Sequence, residues 1–236
     1  MLLLHGGLRY DASDPVVPWY VIGNHDPARA TVGVVAADPG LARRIADVYR
    51  AAGVKDVAVL LLDRPFSLLP GPATIIHLAG GHAPAIAQAL ASSPLRSLLR
   101  LARERRVPII AESAGAMALG VYALGCPDDD PEGSGRCNGL AWLEHTVIEA
   151  HFEQPARLRR LQSVLRRGDA TLGLGIESGT ALALTQGHGP LALGQGAVHL
   201  LRCTLEGLES TAVRAGQRLS LPLGTWKSGA ALLPLP

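Results

Sequence analysis

The sequence is poor in cysteine, lysine and aromatic residues, and it contains no long hydrophobic run. Its three cysteines, Cys126, Cys137 and Cys203, show no CxxC spacing, so neither a disulfide framework nor a zinc site is expected. No stretch approaches the ~20 apolar residues that a membrane span requires. The short apolar start, Met1–Leu4, lacks the h-region and cleavage site of a signal peptide. These absences predict a cytoplasmic protein with no membrane association, no metal and no cofactor.

The sequence also lacks an excess of charge of either sign. The formal net charge is +2 and charged residues make up 18% of the chain, which argues against a nucleic-acid partner or an anionic membrane surface. Hydrophobic residues make up 48% of the 236 residues, a share typical of globular proteins. We therefore expect one domain that spans residues 1–236.

Apolar runs of strand length alternate with helix-like segments over most of the chain. Continuous apolar strands separated by helices indicate a mostly parallel sheet covered on both faces, that is, a three-layer α/β sandwich. The C-terminal part, from Ala192 to about Leu233, has short apolar runs broken by Gly and Pro, which indicates antiparallel strands at one edge. The predicted strands are Leu2–Leu4, Thr31–Ala36, Asp56–Leu62, Thr74–Leu78, Val107–Ala111, Thr146–Ala150 and the region Gly173–Leu184.

The segment around Ser113 has the layout of a nucleophile elbow. An apolar strand runs into Ser113, and a helix-forming run follows. In such an elbow the residues two before and two after the serine are small, and here they are Ala111 and Gly115. The next backbone N–H, at Ala114, points to where an oxyanion forms. The usual pattern has Gly in place of Ala111, and the alternative interpretation is an ordinary strand-to-helix turn with an N-capping serine.

A serine nucleophile needs a base, and His151 is the best-placed histidine. It ends the predicted strand Thr146–Ala150, so it should lie near the sheet edge that carries Ser113. Active sites of such sheets gather at the carboxyl ends of the strands. Most of the other histidines have structural explanations, since His77 and His199 lie within predicted strands and His188 lies in a turn. The histidines at 5, 82 and 145 lie near predicted strand ends.

Several motifs occur in one order between about Ile75 and Leu184, and together they resemble the peptidase E and cyanophycinase family of serine peptidases. The resemblance implies a fold similar to class I glutamine amidotransferases and hydrolysis of short peptides through an acyl-enzyme. The motifs are SAGA at 113–116, GLAWL at 139–143, EAHF at 149–152, ARLRRL at 156–161, and GLGIES followed by GTAL at 173–182.

The resemblance also implies roles for individual residues. Ser113 is the nucleophile and His151 is the general base. Gly81 corresponds to the second glycine of the family's Gly-Gly loop, and its N–H forms the oxyanion hole together with that of Ala114. No metal or cofactor enters this chemistry, and the partner is a small peptide substrate. Relatives are often dimers, so a homodimer is expected.

The third member of the triad is where the chain departs from the family. Aligned without a gap, the family glutamate falls on Ser178, and Glu177 lies one residue earlier. We take Glu177 as the acid, with Glu149 and Asp128 as alternatives. The displaced glutamate leaves open an inactive binding or regulatory protein with the same fold. A non-peptidase hydrolase, such as an esterase or amidase, is a further alternative.

Residues expected at the substrate show both matches and departures. Arg157 and Arg160 match family arginines that help to bind acidic groups, and His82 follows the Gly pair where relatives have Asn or Asp. Pro155 replaces another family arginine. We therefore predict substrate contacts from His82, Arg157 and Arg160, without strict specificity for cyanophycin or for an N-terminal Asp.

Overall fold

The computed structural model describes residues 1–7, 23, 25–63, 73–91, 93–185 and 187–221. Its helices are α1 (Pro39–Ala51), α2 (Ala83–Ala91), α3 (Ser93–Glu104), α4 (Ala114–Met117) and α5 (Pro155–Arg166), with a 3-10 turn at Pro27–Arg29. Its strands are β1 (Leu2–His5), β2 (Thr31–Ala36), β3 (Asp56–Leu61), β4 (Ile75–Leu78), β5 (Ile109–Glu112), β6 (Tyr122–Ala123), β7 (Cys137–Asn138), β8 (Thr146–Ala150), β9 (Leu172–Ile176), β10 (Thr180–Leu184), β11 (Leu191–Gly194), β12 (Ala197–Thr204) and β13 (Gly207–Arg214).

The main sheet contains seven strands within the described part of the chain, in the order β11-β10-β1-β5-β4-β2-β3. Five neighbouring strands pair in parallel, in the order β1-β5-β4-β2-β3. At one edge, β10 pairs antiparallel with both β1 and β11. The predicted mostly parallel sheet with an antiparallel C-terminal edge is confirmed. The predicted runs beyond residue 221 lie outside the described residues.

Helices cover both faces of the main sheet. Leu3, Val34 and Ile110 belong to a cluster with the apolar side of α1. Their strand neighbours, such as Leu4 and Ala111, belong to the cluster that includes α2 and α3. Because successive side chains of a strand point to opposite faces, one apolar run supplies both clusters. The expected three layers are therefore present.

A second sheet, not expected from the sequence, has the order β13-β12-β9-β8. Strands β8 and β9 pair in parallel, and β12 pairs antiparallel with β9 and β13. The predicted strand region 173–184 is thus two strands, β9 and β10, which belong to different sheets. The turn between them, at residues 177–179, lies beside His151, the residue that follows β8.

The strand ends of the two sheets meet at one edge. Strand β1 leads into Gly6-Gly7, β4 leads through Ala79 into Gly80-Gly81, and β5 leads into Ser113. These are carboxyl ends of parallel strands, where ligands bind in open α/β sheets. No helix in the described ranges is long and apolar enough to cross a membrane.

Candidate active site

Ser113 occupies a strained turn between β5 and α4. Its backbone has φ 49° and ψ −117°, a conformation that a residue with a side chain rarely adopts. Such strained conformations cluster at functional sites. The backbone N–H of Ser113 donates to His5 O at 2.8 Å, which ties the turn to β1. The Ser113 hydroxyl makes no capping hydrogen bond to α4. The N-capping interpretation is therefore wrong, and the turn has the geometry of a nucleophile elbow.

The elbow depends on small residues around Ser113. A β-carbon added at Gly115 would lie 2.6 Å from Leu78 O, and one added at Gly80 would lie 3.2 Å from Ser113 Cβ. Ala111 is fully buried in β5. The loop after β4 therefore runs against the serine because positions 80 and 115 lack side chains.

His151 reaches Ser113 from the end of β8. Its Nε2 lies 2.9 Å from Ser113 Oγ, a hydrogen-bond distance suited to proton transfer. The backbone of His151 has φ 51°, and its N–H donates to Gly6 O at 2.9 Å. Gly7 lies against the ring, because a β-carbon there would be 2.1 Å from His151 Cε1. The end of β1 and the two glycines that follow it thus hold Ser113 and His151 from one side.

The second ring nitrogen of His151 contacts a hydroxyl rather than a carboxylate. Nδ1 lies 2.8 Å from Ser178 Oγ. The Ser178 hydroxyl donates to Glu153 Oε1 at 2.7 Å, and the Ser178 N–H donates to Glu153 Oε2 at 2.9 Å. Glu153 was not among the acids expected from the sequence, because the resemblance places the acid in the motif at 173–178. Its position two residues after His151 was the available signal.

The expected contact between Glu177 and His151 is wrong. Glu177 Oε1 lies 2.8 Å from His199 Nε2, and Glu177 Oε2 accepts the Ala197 N–H at 2.9 Å. In the turn after β9 the two neighbouring side chains point to different partners. Ser178 faces His151, whereas Glu177 faces Ala197 and His199 on β12.

The two alternative acids are also placed elsewhere. Both carboxylate oxygens of Glu149 are bound, Oε1 to Arg160 Nε at 2.6 Å and Oε2 to Arg157 Nη1 at 3.2 Å. Asp128 lies in an exposed turn. Neither residue makes a described hydrogen bond to His151, and the described hydrogen-bond partners of its imidazole are Ser113 and Ser178.

The surroundings of His151 favour its neutral form. Burial lowers the pKa of the His151 imidazole, and the positive charge of Arg157 lowers it further, whereas Glu153, Glu112 and Glu149 act in the opposite direction. A neutral imidazole accepts a proton, as a general base must. Burial alone would raise the pKa of Glu153, but the hydrogen bonds from Ser178 outweigh burial and hold that pKa below its ordinary value. Glu153 is therefore ionised at neutral pH.

The predicted oxyanion residues lie beside the serine. Ala114 is the first residue of α4, immediately after Ser113. Gly81 has φ 140° and follows Gly80, which is in contact with Ser113. His82 is exposed at the start of α2, where its carbonyl accepts the Ile86 N–H. Ala114 and Gly81 therefore lie next to residues at the elbow, and their roles as oxyanion donors stay predictions, as does the substrate role of His82.

The two predicted substrate arginines occupy different environments. Arg160 is fully buried, and its Nη1 donates to Gly125 O at 2.8 Å in addition to the Glu149 contact. A residue without exposed surface cannot contact substrate, so the expected substrate role of Arg160 is corrected to a structural ion pair. Arg157 keeps 15% of its side-chain surface exposed and is near enough to affect His151.

Sequence comparisons with known proteins identify the family of the chain. The sequence model of peptidase family S51 matches residues 31–191. A cyanophycinase from Geminocystis herdmanii (strain PCC 6308) is 24% identical over 196 residues, which cover 78% of this chain and 72% of that protein. A cyanophycinase from Synechococcus elongatus is 30% identical over 189 residues, which cover 73% of this chain and 58% of that protein. The chain therefore spans less than two thirds of the second relative.

Two solved structures share the fold. A peptidase from an acI-B1 Actinobacterium superimposes with a TM-score of 0.71 and 19% identity, over 93% of this chain and 96% of the other. A protein from Listeria monocytogenes EGD-e assigned to peptidase E has a TM-score of 0.61 and 14% identity, over 83% and 98%. The three-layer architecture described above is thus that of peptidase E-like proteins.

Proposed function

The chain belongs to peptidase family S51, and we propose that it hydrolyses short peptides through an acyl-enzyme formed on Ser113. The family consists of serine peptidases, and this chain is a serine-type peptidase. The observation that carries the assignment of residues is the 2.9 Å contact between Ser113 Oγ and His151 Nε2 at a strained elbow. A hydroxyl in hydrogen-bond contact with a base is the arrangement that activates a serine.

The proposed reaction has two halves. Ser113 Oγ attacks the peptide carbonyl while His151 Nε2 takes the hydroxyl proton, and the same proton passes to the leaving amine. Water then enters, and His151 removes one of its protons as the water oxygen bonds to the acyl carbon. The bond to Ser113 Oγ breaks, the same proton returns from His151 to Ser113 Oγ, and the product leaves as a carboxylic acid. The N–H groups of Gly81 and Ala114 stabilise the tetrahedral oxyanion in both halves. Each such donor is typically worth ~3 kcal/mol of transition-state stabilisation.

The proposed substrate is a short peptide that is not restricted to cyanophycin. Relatives are named cyanophycinase, but Pro155 and His82 replace residues that bind acidic groups in the family. Arg157 remains beside His151 with part of its side chain exposed. We propose that Arg157 and His82 line the substrate site, so that peptides with an acidic residue belong in any first panel.

We further propose that the protein works in the cytoplasm, as a homodimer, with the peptide as its only required partner. Cys126, Cys137 and Cys203 are free thiols, which suits a reducing compartment. The described residues contain no group of three metal-ligating side chains, and the proposed chemistry requires no metal. Light scattering on the purified protein tests the dimer.

A fluorophosphonate label combined with a substrate panel tests the proposed function. An active serine hydrolase reacts covalently with the label, and we expect one adduct, on Ser113. The panel contains dipeptides with and without acidic residues, together with simple esters. Labelling with peptide turnover supports the proposal, labelling with turnover of esters alone makes the protein an esterase, and no labelling makes the site inactive.

A further inference from the structure

Glu153 and His151 are linked through one intervening hydroxyl. Both Glu153 oxygens bind Ser178, one at its hydroxyl and one at its N–H. The same Ser178 hydroxyl lies 2.8 Å from His151 Nδ1. Ser178 is therefore held at its backbone and its side chain by one carboxylate, and its oxygen is fixed beside the ring.

The donors and acceptors of this chain can be arranged in only one way when Glu153 is ionised. A carboxylate has no proton to donate, so the Ser178 hydroxyl donates its single proton to Glu153. The Ser178 oxygen must then accept, and His151 Nδ1 must carry the proton that it accepts. His151 Nε2 is left without a proton and can accept one from Ser113. The arrangement selects the tautomer that general-base catalysis requires.

We propose that Ser178 and Glu153 are positioning residues that orient His151 through a hydroxyl relay, in place of a carboxylate in direct contact with the ring. The inference rests on the proposed roles of Ser113 and His151. During acylation the Ser113 proton moves to Nε2, while the Nδ1 proton stays on the ring and continues to bind Ser178. Glu153 takes up no proton, and its charge favours the imidazolium from one residue away.

Glu153 is one of several charged groups that affect the imidazolium form of His151. Arg157 lies on the helix that follows His151 and opposes the imidazolium, whereas Glu112 and Glu149 favour it as Glu153 does. Glu153 is exposed at the surface, so solvent screens its charge. We therefore expect a smaller effect from Glu153 than the loss of a buried triad carboxylate produces.

The first test measures kcat in Ser178→Ala, Ser178→Thr and Glu153→Gln. We expect ~10–100-fold lower kcat for Ser178→Ala and Glu153→Gln, less than the ~10⁴-fold loss seen when a buried triad acid is neutralised. Ser178→Thr keeps a hydroxyl and should retain most activity. The double variant Ser178→Ala/Glu153→Gln should lose far less than the product of the two single losses, since Glu153 orients the ring through Ser178 and only its screened charge acts on His151 directly. The matched control is Glu177→Gln, an isosteric change one residue away at a carboxylate bound to His199, and it should keep wild-type kcat.

The second test does not depend on turnover. Nitrogen-15 NMR of the imidazoles, with His151 assigned from a His151→Asn variant, reports which ring nitrogen carries the proton and at what pH the ring titrates. We expect the Nδ1–H tautomer in the wild type and a mixture in Ser178→Ala. The midpoint should move to lower pH in Glu153→Gln, because a negative charge that favours the imidazolium is removed. A role confined to folding would move neither quantity.

The outcomes separate this inference from the proposed function. If Ser113→Ala abolishes peptide hydrolysis while Ser178→Ala and Glu153→Gln keep wild-type kcat and His151 titration, the relay is wrong and the function stands. If Ser113→Ala keeps activity, the function is wrong, and the NMR tautomer still decides whether Ser178 orients the ring. Because Glu153 is exposed, Glu153→Gln decides the question even where the Ser178 variant fails to fold.

Discussion

Gly7 and His151 are in direct contact at the end of β1, and the contact leaves no room for a side chain at position 7. The backbone of Gly7 has φ 135°, and an added β-carbon would lie 2.1 Å from His151 Cε1. The hydrogen bond from His151 N–H to Gly6 O holds the same stretch of backbone in place. The two glycines that follow β1 therefore set the position of the proposed base, although Gly7 lies 144 residues before His151 in the sequence.

Gly7→Ala is expected to displace the His151 ring and to lower kcat/KM by about 10²-fold, the effect of a misplacement of roughly 1 Å in a catalytic group. The matched control is Gly168→Ala, which also replaces a glycine with positive φ but meets no atom within 4 Å. That control should lose ~1–2 kcal/mol of stability and keep kcat/KM. Equal kcat/KM in the two variants would contradict the role given to Gly7.

His151→Ala should lower kcat nearly as much as removal of the nucleophile does. The two residues act as a unit, so the double variant with Ser113→Ala should be no slower than either single variant. Single-turnover kinetics on the three proteins check this expectation. Losses that multiply in the double variant would indicate that the two residues contribute independently.

The pH dependence of kcat/KM should follow the deprotonation of His151. The base works only when neutral, so activity rises with pH through the His151 pKa, which burial and Arg157 lower below its ordinary value. Arg157→Gln removes a charge that opposes the imidazolium and should move this acid limb to higher pH. Arg159→Gln, an exposed change on the same helix, should leave the limb in place. An acid limb unmoved by Arg157→Gln would contradict the electrostatic account of the site.

Glu149→Gln should reduce stability. Glu149 and Arg160 are both fully buried and 2.6 Å apart, and removal of one partner from a buried ion pair typically costs ~3–5 kcal/mol. Glu209→Gln breaks the exposed pair of Arg202 and Glu209 and should cost at most ~1 kcal/mol. Urea denaturation of both variants provides the comparison, and equal losses would show that burial of the Glu149 pair is unimportant.

The architecture and the strained turn at Ser113 could be predicted because local sequence determines them. Alternating apolar runs and helices predict a layered α/β fold, and small residues at 111 and 115 around Ser113 are required by the turn itself. The sequence does not show in which direction the His151 side chain points. Its place after a predicted strand nevertheless put His151 at the correct edge of the sheet. These features depend on patterns within one or two elements.

The third member of the catalytic chain could not be predicted in the same way. Glu177 and Ser178 are adjacent in sequence, and which of them faces His151 depends on how β9 pairs with β8 and β12. That pairing brings together segments far apart in sequence. The split of region 173–184 between two sheets has the same origin. Glu153 was missed for a different reason, since it acts through Ser178 and not on the ring directly.

The most direct test of the account is peptide hydrolysis by Ser113→Ala. The hydroxyl lies at a turn and caps no helix, so the variant should fold, and loss of a triad nucleophile typically lowers kcat by ~10⁴–10⁶-fold. Ser210→Ala, which removes an exposed hydroxyl on β13, serves as the control and should keep wild-type kcat. The account predicts a folded Ser113→Ala protein without measurable peptidase activity. A folded Ser113→Ala protein with wild-type kcat would contradict it.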